Sequence, residues 1–212
     1  AEDADITIRL WLLFKNKLTK DKVTKVYQSL ERPLIKVLAD METEGVLVSK
    51  EKLTQLSKDF SKKIKVLEDE IFNISKENFN IGSPKQLSEI LFEKMGFNRG
   101  QKNKSGSYST GAEILENLAN EGHIFPKKIL DWRQLSKLKS TYTDALIDHI
   151  NPKTKRVHTS YIISGTSTGR LSSAEPNLQN IPVRTEEGKE IRNAFISKKG
   201  SKLISFDYSQ IE

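Results

Sequence analysis

The chain has 212 residues, with 35 Lys and Arg against 28 Asp and Glu, a formal charge of +7, 36% hydrophobic and 30% charged side chains, and no Cys. That length suits one large domain or two small ones. No run approaches the roughly 18 apolar residues of a helical bilayer span, the acidic start Ala1-Glu2-Asp3-Ala4-Asp5 is unlike a secretory signal, and disulfide scaffolds and Cys-based zinc sites are excluded. A soluble chain without a membrane partner is expected, and the cytoplasm fits it. Residues 99–170 hold 12 basic and 6 acidic side chains, whereas 1–98 hold 17 and 16, and 171–212 hold 6 of each. The middle third is therefore either a polyanion-facing surface or a solvated basic face.

In chain order, Ile6, Leu10, Leu13, Phe14 and Leu18 mark an amphipathic helix. Pro33 suits the first turn of a second helix, and Gly45 its end. From Ser49 onward, Leu53, Leu56, Phe60, Ile64, Leu67, Ile71 and Ile74 form one apolar stripe at spacings of three and four. This predicts a helix of about six turns packed on its neighbours. Ser83-Pro84-Lys85-Gln86 carries a capping-box signature for a further helix, ending at Gly96. The basic, glycine-punctuated stretch from Asn98 to Ser107 reads as an exposed loop. Thr110 with Glu113 predicts another cap, and after Pro126 a helix is expected to run to about His149.

On that last helix Arg133 and Lys137 stand four apart, one turn along one face. They could grip successive phosphates or be two solvated cations. After Pro152 the content turns strand-like, from Arg156 to Ile163. Ala194-Phe195-Ile196 and Leu203-Ile204-Ser205-Phe206 flank Lys198-Lys199-Gly200-Ser201, which predicts a hairpin. The expected fold is mostly α with a small antiparallel β portion. Asp207 follows the second apolar run, so it is either a carboxylate at a strand end, suited to Mg²⁺, or a turn residue.

Thr168-Gly169-Arg170-Leu171-Ser172-Ser173, Pro176-Asn177-Leu178-Gln179-Asn180-Ile181-Pro182, Ile191-Arg192-Asn193-Ala194-Phe195 and Asp207-Tyr208-Ser209-Gln210-Ile211-Glu212 together resemble the family A DNA polymerases. The resemblance extends upstream through Trp132 to Tyr142, Phe79 to Leu87, Ser109-Thr110 and Ala1 to Asp5, in one colinear order. It implies that residues 1–20 are the tail of a 3′–5′ exonuclease-like domain. Residues 21–150 would be the helical thumb with its connection to the palm, and 151–212 the first part of the palm sheet, through motif A. The implied parent adds dNTPs to a primer 3′-hydroxyl by two-metal nucleotidyl transfer, in replication, repair and gap filling. It would be a bacterial, nucleoid-associated enzyme, monomeric when complete.

By the same resemblance Asp207 is the catalytic carboxylate that binds both Mg²⁺ ions, with the Tyr208 backbone completing the metal shell. Glu212 is the catalytic-site steric gate against ribonucleotides, and Gln210 lies beside it at the substrate. Arg170 reads the minor groove at the primer terminus, where every correct pair offers an acceptor, and Asn177, Gln179 and Asn180 add amide contacts. Arg133 and Lys137 hold DNA phosphates. The loop with Arg99, Lys102 and Lys104 tracks the duplex. Asp3 aligns with an exonuclease metal ligand whose companion motifs are missing. The fingers and the second catalytic aspartate of the family are also missing, so the 212 residues alone are expected to bind DNA weakly and to be inactive. Two other readings are a non-catalytic DNA-binding helical module and, with less support, a nuclease built on Asp207.

Overall fold

Helices make up most of the chain, with two small antiparallel sheets; the computed structural model describes residues 2–97 and 108–209. The chain divides into two compact units, Ala1–Leu47 with His149–Asn180, and Val48–Asp148 with Ile181–Glu212.

The first unit opens with α1 (Glu2–Lys20), acidic in its first turn and basic in its last, as the helix dipole favours. None of its residues is buried, so the stripe of Ile6, Leu10, Leu13 and Phe14 faces outward. Next come α2 (Thr24–Val26), a π-helical turn (Tyr27–Glu31) and α3 (Arg32–Glu44), one continuous helical run. Pro33 stands in the first turn of α3, as expected, and the helical run continues back from it to Thr24. The wide turn lies just ahead of Pro33, which has no N–H to give to the preceding turn.

Gly45 ends the run at φ 66°, its N–H donating to Met41 O at 2.9 Å. A Cβ there would lie 2.7 Å from His158 Nδ1 and 2.8 Å from Val157 O, so glycine is required on two counts. β1 (Val46–Leu47) pairs antiparallel with β2 (Arg156–Val157), and β3 (Ser160–Ile162) with β4 (Ser172–Ala174). Arg156 ties the first sheet to α3, bonding Gly45 O and Glu44. Tyr161 N donates to Glu42 Oε1 at 2.6 Å, doing the same for the second sheet.

The second unit is built on α4 (Lys50–Ser75), capped by Ser49, whose Oγ accepts from Lys52 N at 3.2 Å. Its stripe is buried at Leu53, Phe60 and Ile71. Then come α5 (Pro84–Ser88) with a π-helical extension (Glu89–Lys94), α6 (Ala112–Asn120), and α7 (Ile124–Leu138). A third π-helical stretch (Lys139–Asp144) leads from α7 into α8 (Ala145–Asp148), and α9 (Glu186–Arg192) completes the helices. The core of this unit is Ile71, Ile81, Leu87, Ile90, Leu91, Phe92, Leu115, Phe125 and Ile129.

Three local expectations change. Gln86 Oε1 accepts from Asn80 N at 2.7 Å rather than closing a box on Ser83, because Ser83 N is already given to Asn80 O. Gly111, not Thr110, is the N-cap of α6. The hairpin over 194–206 does not form: Ser201 N reaches Lys198 O, but Phe195 makes only an isolated bridge to Val48 and 201–208 is irregular. A strand needs a hydrogen-bonding neighbour and a layer to cover its apolar face, and the described residues provide neither for Leu203 to Phe206.

One polar cluster fastens α7's extension to α4. The Asp144 carboxylate accepts from Ser57 Oγ and from Lys139 Nζ, both at 2.6 Å, and from Thr143 Oγ1 at 3.3 Å. Partial burial alone would raise its pKa, but these hydrogen bonds with Lys139 leave it below the ordinary value of 3.8. A carboxyl depressed in the folded state stabilises fully above its unfolded pKa and loses that contribution as pH falls through the folded one. Asp144→Ala is therefore expected to cost about 1–2 kcal/mol near neutral pH in urea melts, with the difference from wild type shrinking as pH falls below 3.8.

Candidate nucleic-acid interface

A half-buried arginine stands in an open recess of the second unit. α7 carries Arg133 toward the loop that leads into α6. There Nη1 donates to Thr110 O at 2.6 Å, and Nη2 lies 3.4 Å from Thr110 Oγ1. Burial pushes the Arg133 pKa down, because desolvation disfavours its charge. No carboxylate pairs with it among the described residues. A partly desolvated cation that meets only a carbonyl and a hydroxyl is electrostatically incomplete.

The surroundings favour an anion. Arg133, Trp132, Gly82, Pro84, Ser109, Thr110 and Gly111 line an open cavity of about 500 Å³. α6 begins at this rim with Gly111 as N-cap and no side-chain cap. The first N–H groups of such a helix have no intrahelical partner, and the dipole places positive charge there. The positive charge at this recess suits an anion such as a phosphate. The sequence marked Arg133 but not Thr110 as its anchor; the signal was the Ser-Thr-Gly run, which also reads as a cap.

One turn on, Lys137 is exposed, and its ammonium meets no carboxylate among the described residues. Lys139 differs: it is held by Asp144 at 2.6 Å. Of the three cations on this run, only Arg133 and Lys137 remain available to an anion.

The other expected DNA contacts lie in the first unit. Arg170 is exposed in the turn after β3, where its carbonyl accepts from Thr166 Oγ1 at 2.7 Å. Gln179 is engaged internally: its Oε1 accepts from Ser173 N at 2.9 Å, and its Nε2 donates to Leu171 O at 3.1 Å. Asn177 Oδ1 accepts from Gln179 N at 2.9 Å and from Ser173 Oγ at 3.4 Å. The two amides thus fold the loop back on β4, next to Arg170, and Asn180 is exposed where the loop ends. Sequence reasoning took Gln179 as a contact; in the chain without DNA, both ends of its amide also brace the loop.

Asp207 and Tyr208 are exposed in an irregular segment, so Asp207 does not stand at a strand end. Asp3 is exposed on α1, its carbonyl accepting from Thr7 Oγ1 at 2.6 Å. No group of three or more His, Cys, Asp and Glu is placed to hold a metal among the described residues. Arg99, Lys102, Lys104, Gln210 and Glu212 lie outside the described residues. No described helix is long and apolar enough to cross a membrane.

A helical unit with an open recess that presents a half-buried arginine suits an anionic ligand, and comparison with known proteins places the chain in a family. The sequence model described as DNA polymerase family A matches residues 50–212. The chain belongs to the family A DNA polymerases. It is 59% identical over its whole length to DNA polymerase I of Rhizobium leguminosarum, of which it covers 21%. It is 46% identical to DNA polymerase I of Pseudomonas aeruginosa, again over the whole chain and 23% of that protein. Thermostable DNA polymerase I of Thermus aquaticus is 45% identical, with 100% and 26% covered. Among solved structures, the POL domain of Pol1 from M. smegmatis, in complex with DNA primer-template and dNTP, superposes with a TM-score of 0.80. That match has 35% identity and covers 87% of this chain and 32% of that one. The chain spans about a fifth to a quarter of the length of the curated relatives it matches.

Replacing Gln179 by Ala removes the acceptor for Ser173 N and the donor to Leu171 O. The expected result is several-fold faster amide exchange at Ser173, read by hydrogen exchange of the free protein, with about 1 kcal/mol lost locally.

Proposed function

We propose that this chain forms the duplex-gripping part and the first catalytic segment of a template-directed DNA polymerase acting in replication and repair. The observation that carries the reading is the half-buried Arg133, unpaired by any described carboxylate, beside the open N-terminus of α6. A DNA phosphate supplies the negative charge this recess lacks. Lys137, one turn further along α7, takes the next phosphate. Because these contacts go to the backbone they fix register without reading sequence, as an enzyme that must copy any template requires. The Pol1 domain solved with DNA primer-template and dNTP supports DNA and dNTP as partners of this chain too.

In this reading residues 21–150 are the thumb with its connection, 151–212 the start of the palm, and 1–20 the end of an exonuclease-like domain. Exposed Arg170, in a turn held against Gln179 through Leu171, is the minor-groove reader. Gln210 and Glu212 belong to the nucleotide side, Glu212 as the sugar gate, and Arg99, Lys102 and Lys104 to the duplex side.

The Asp207 carboxylate and the Tyr208 carbonyl are hard oxygen donors of the kind Mg²⁺ takes. Two donors in an exposed segment do not hold two ions, and the described residues complete no such set. Bound Mg²⁺ would acidify the primer 3′-hydroxyl and neutralise the departing pyrophosphate. What these residues contribute is one carboxylate on a segment whose surroundings come from elsewhere in a protein of the relatives' length. The 212 residues alone are accordingly expected to bind a duplex weakly and not to extend a primer. A purely DNA-binding role for the chain is the competing reading, and Asp207 separates the two.

In a polymerase of the relatives' length that carries this chain, Asp207→Asn should lower primer extension by at least a hundredfold while leaving duplex affinity within about twofold. Unchanged extension favours the binding module. Arg133→Ala should weaken primer-template binding and reduce the slope of log K against log salt by about 1, measured by fluorescence anisotropy across a salt series. Arg133→Lys should restore the slope but not the full affinity, because an ammonium cannot hold Thr110 and a phosphate in one plane.

A further inference from the structure

Arg133 is aimed from behind. The residue before it, Trp132, is half-buried at the wall of the same recess, and its indole Nε1 donates to Glu68 Oε1 of α4 at 3.0 Å. The outer edge of the ring stands against Gly82, where an added Cβ would sit 3.7 Å from Trp132 Cη2. The remainder of the ring packs on the apolar core. Glu68 takes this neutral donor and forms no ion pair among the described residues, although Lys-bearing turns flank it on α4.

We propose that the Glu68–Trp132 hydrogen bond is a positioning device for the phosphate seat at Arg133, an inference that rests on the DNA-binding reading above. Adjacent residues on a helix leave the axis about 100° apart. Fixing Trp132 to α4 therefore fixes the rotation of α7 and with it the direction in which Arg133 leaves. Apolar packing does not do this by itself, because greasy faces tolerate small rotations that a directional N–H···O bond does not. The guanidinium is consequently held at both ends of its lever, by Thr110 at its tip and by its neighbour's indole at its root. Glu68 and Trp132 touch no DNA in this scheme; they act through Arg133.

A carboxylate near the seat would also repel a phosphate, so charge and hydrogen bonding have to be separated. Glu68→Gln and Glu68→Ala carry the same charge, and only the first can accept the indole N–H. Anisotropy titration of a primer-template duplex is expected to give about fivefold weaker binding for Glu68→Ala than for Glu68→Gln. That difference should vanish when Arg133→Ala is present in both, as coupling through one contact requires. Urea melts of the same variants report stability, which a merely structural contact would change equally in both Arg133 backgrounds. Equal affinity of the Ala and Gln variants, or an equal difference with and without Arg133, overturns the positioning role and leaves the phosphate seat standing. Wild-type affinity in Arg133→Ala overturns the seat itself, and the positioning role with it.

Discussion

The contact on which the second unit depends is the packing of α4 against α7. Leu53, Phe60 and Ile71 on α4 are fully buried, as is Ile129 on α7, with Leu135 and Leu138 nearly so. Each such side chain stabilises by about 1.5–3 kcal/mol on leaving water, so the apolar seam supplies the energy that holds the pair together. It does not by itself fix how far one helix is turned or slid along the other. Three polar ties do that, two to α7 and one to its π-helical extension: Trp132 to Glu68 at 3.0 Å, Lys128 to Glu70 at 2.7 Å, and Ser57 to Asp144 at 2.6 Å. They are spread along the seam, so a slide that satisfied one would break another.

Such a frame decides which cations face outward and which are consumed. Three basic side chains fall within seven residues at the end of α7, and sequence spacing treats them alike. The π-helical stretch after Leu138 brings Asp144 to Lys139, which neutralises that cation inside the fold. Arg133 is carried instead to a carbonyl and a hydroxyl, neither of which cancels its charge. The electrostatic deficit is thus local, created by where α6 begins rather than by the overall charge of +7.

Sequence reasoning reached the helical elements well because their signals are short-range. Ser49 before the stripe, and Gly45 at the end of α3, each act within one turn of their own position. Family resemblance carried Arg133, Lys137, Arg170 and Asp207 as named positions. What could not be read were facts that depend on distant partners. Thr110 looks like a cap until Arg133 arrives from 23 residues away. Gln179 reads as a DNA contact, and nothing in the sequence shows that both ends of its amide also hold Ser173 and Leu171. The π-helical turn ahead of Pro33 is the intermediate case: the proline is visible in sequence, but the widened turn that precedes it is not.

The two halves of the proposed function, binding and catalysis, therefore stand on different structural footings. Arg133, Thr110, Gly111 and Trp132, on which the proposed phosphate seat rests, are placed by one unit within a single recess. The carboxylate of Asp207 has no such enclosure: Phe206 is 92% and Tyr208 81% exposed on either side of it. Apolar side chains are poor solvent-facing residues, and their arrangement around an acid makes sense as a strand whose faces are covered. A strand's position is a property of the sheet that pairs with it, whereas a helix satisfies its own backbone and brings its side chains with it. A recess built from helix ends can be complete within one unit, while a carboxylate on an unpaired segment acquires its place only when other strands give it one.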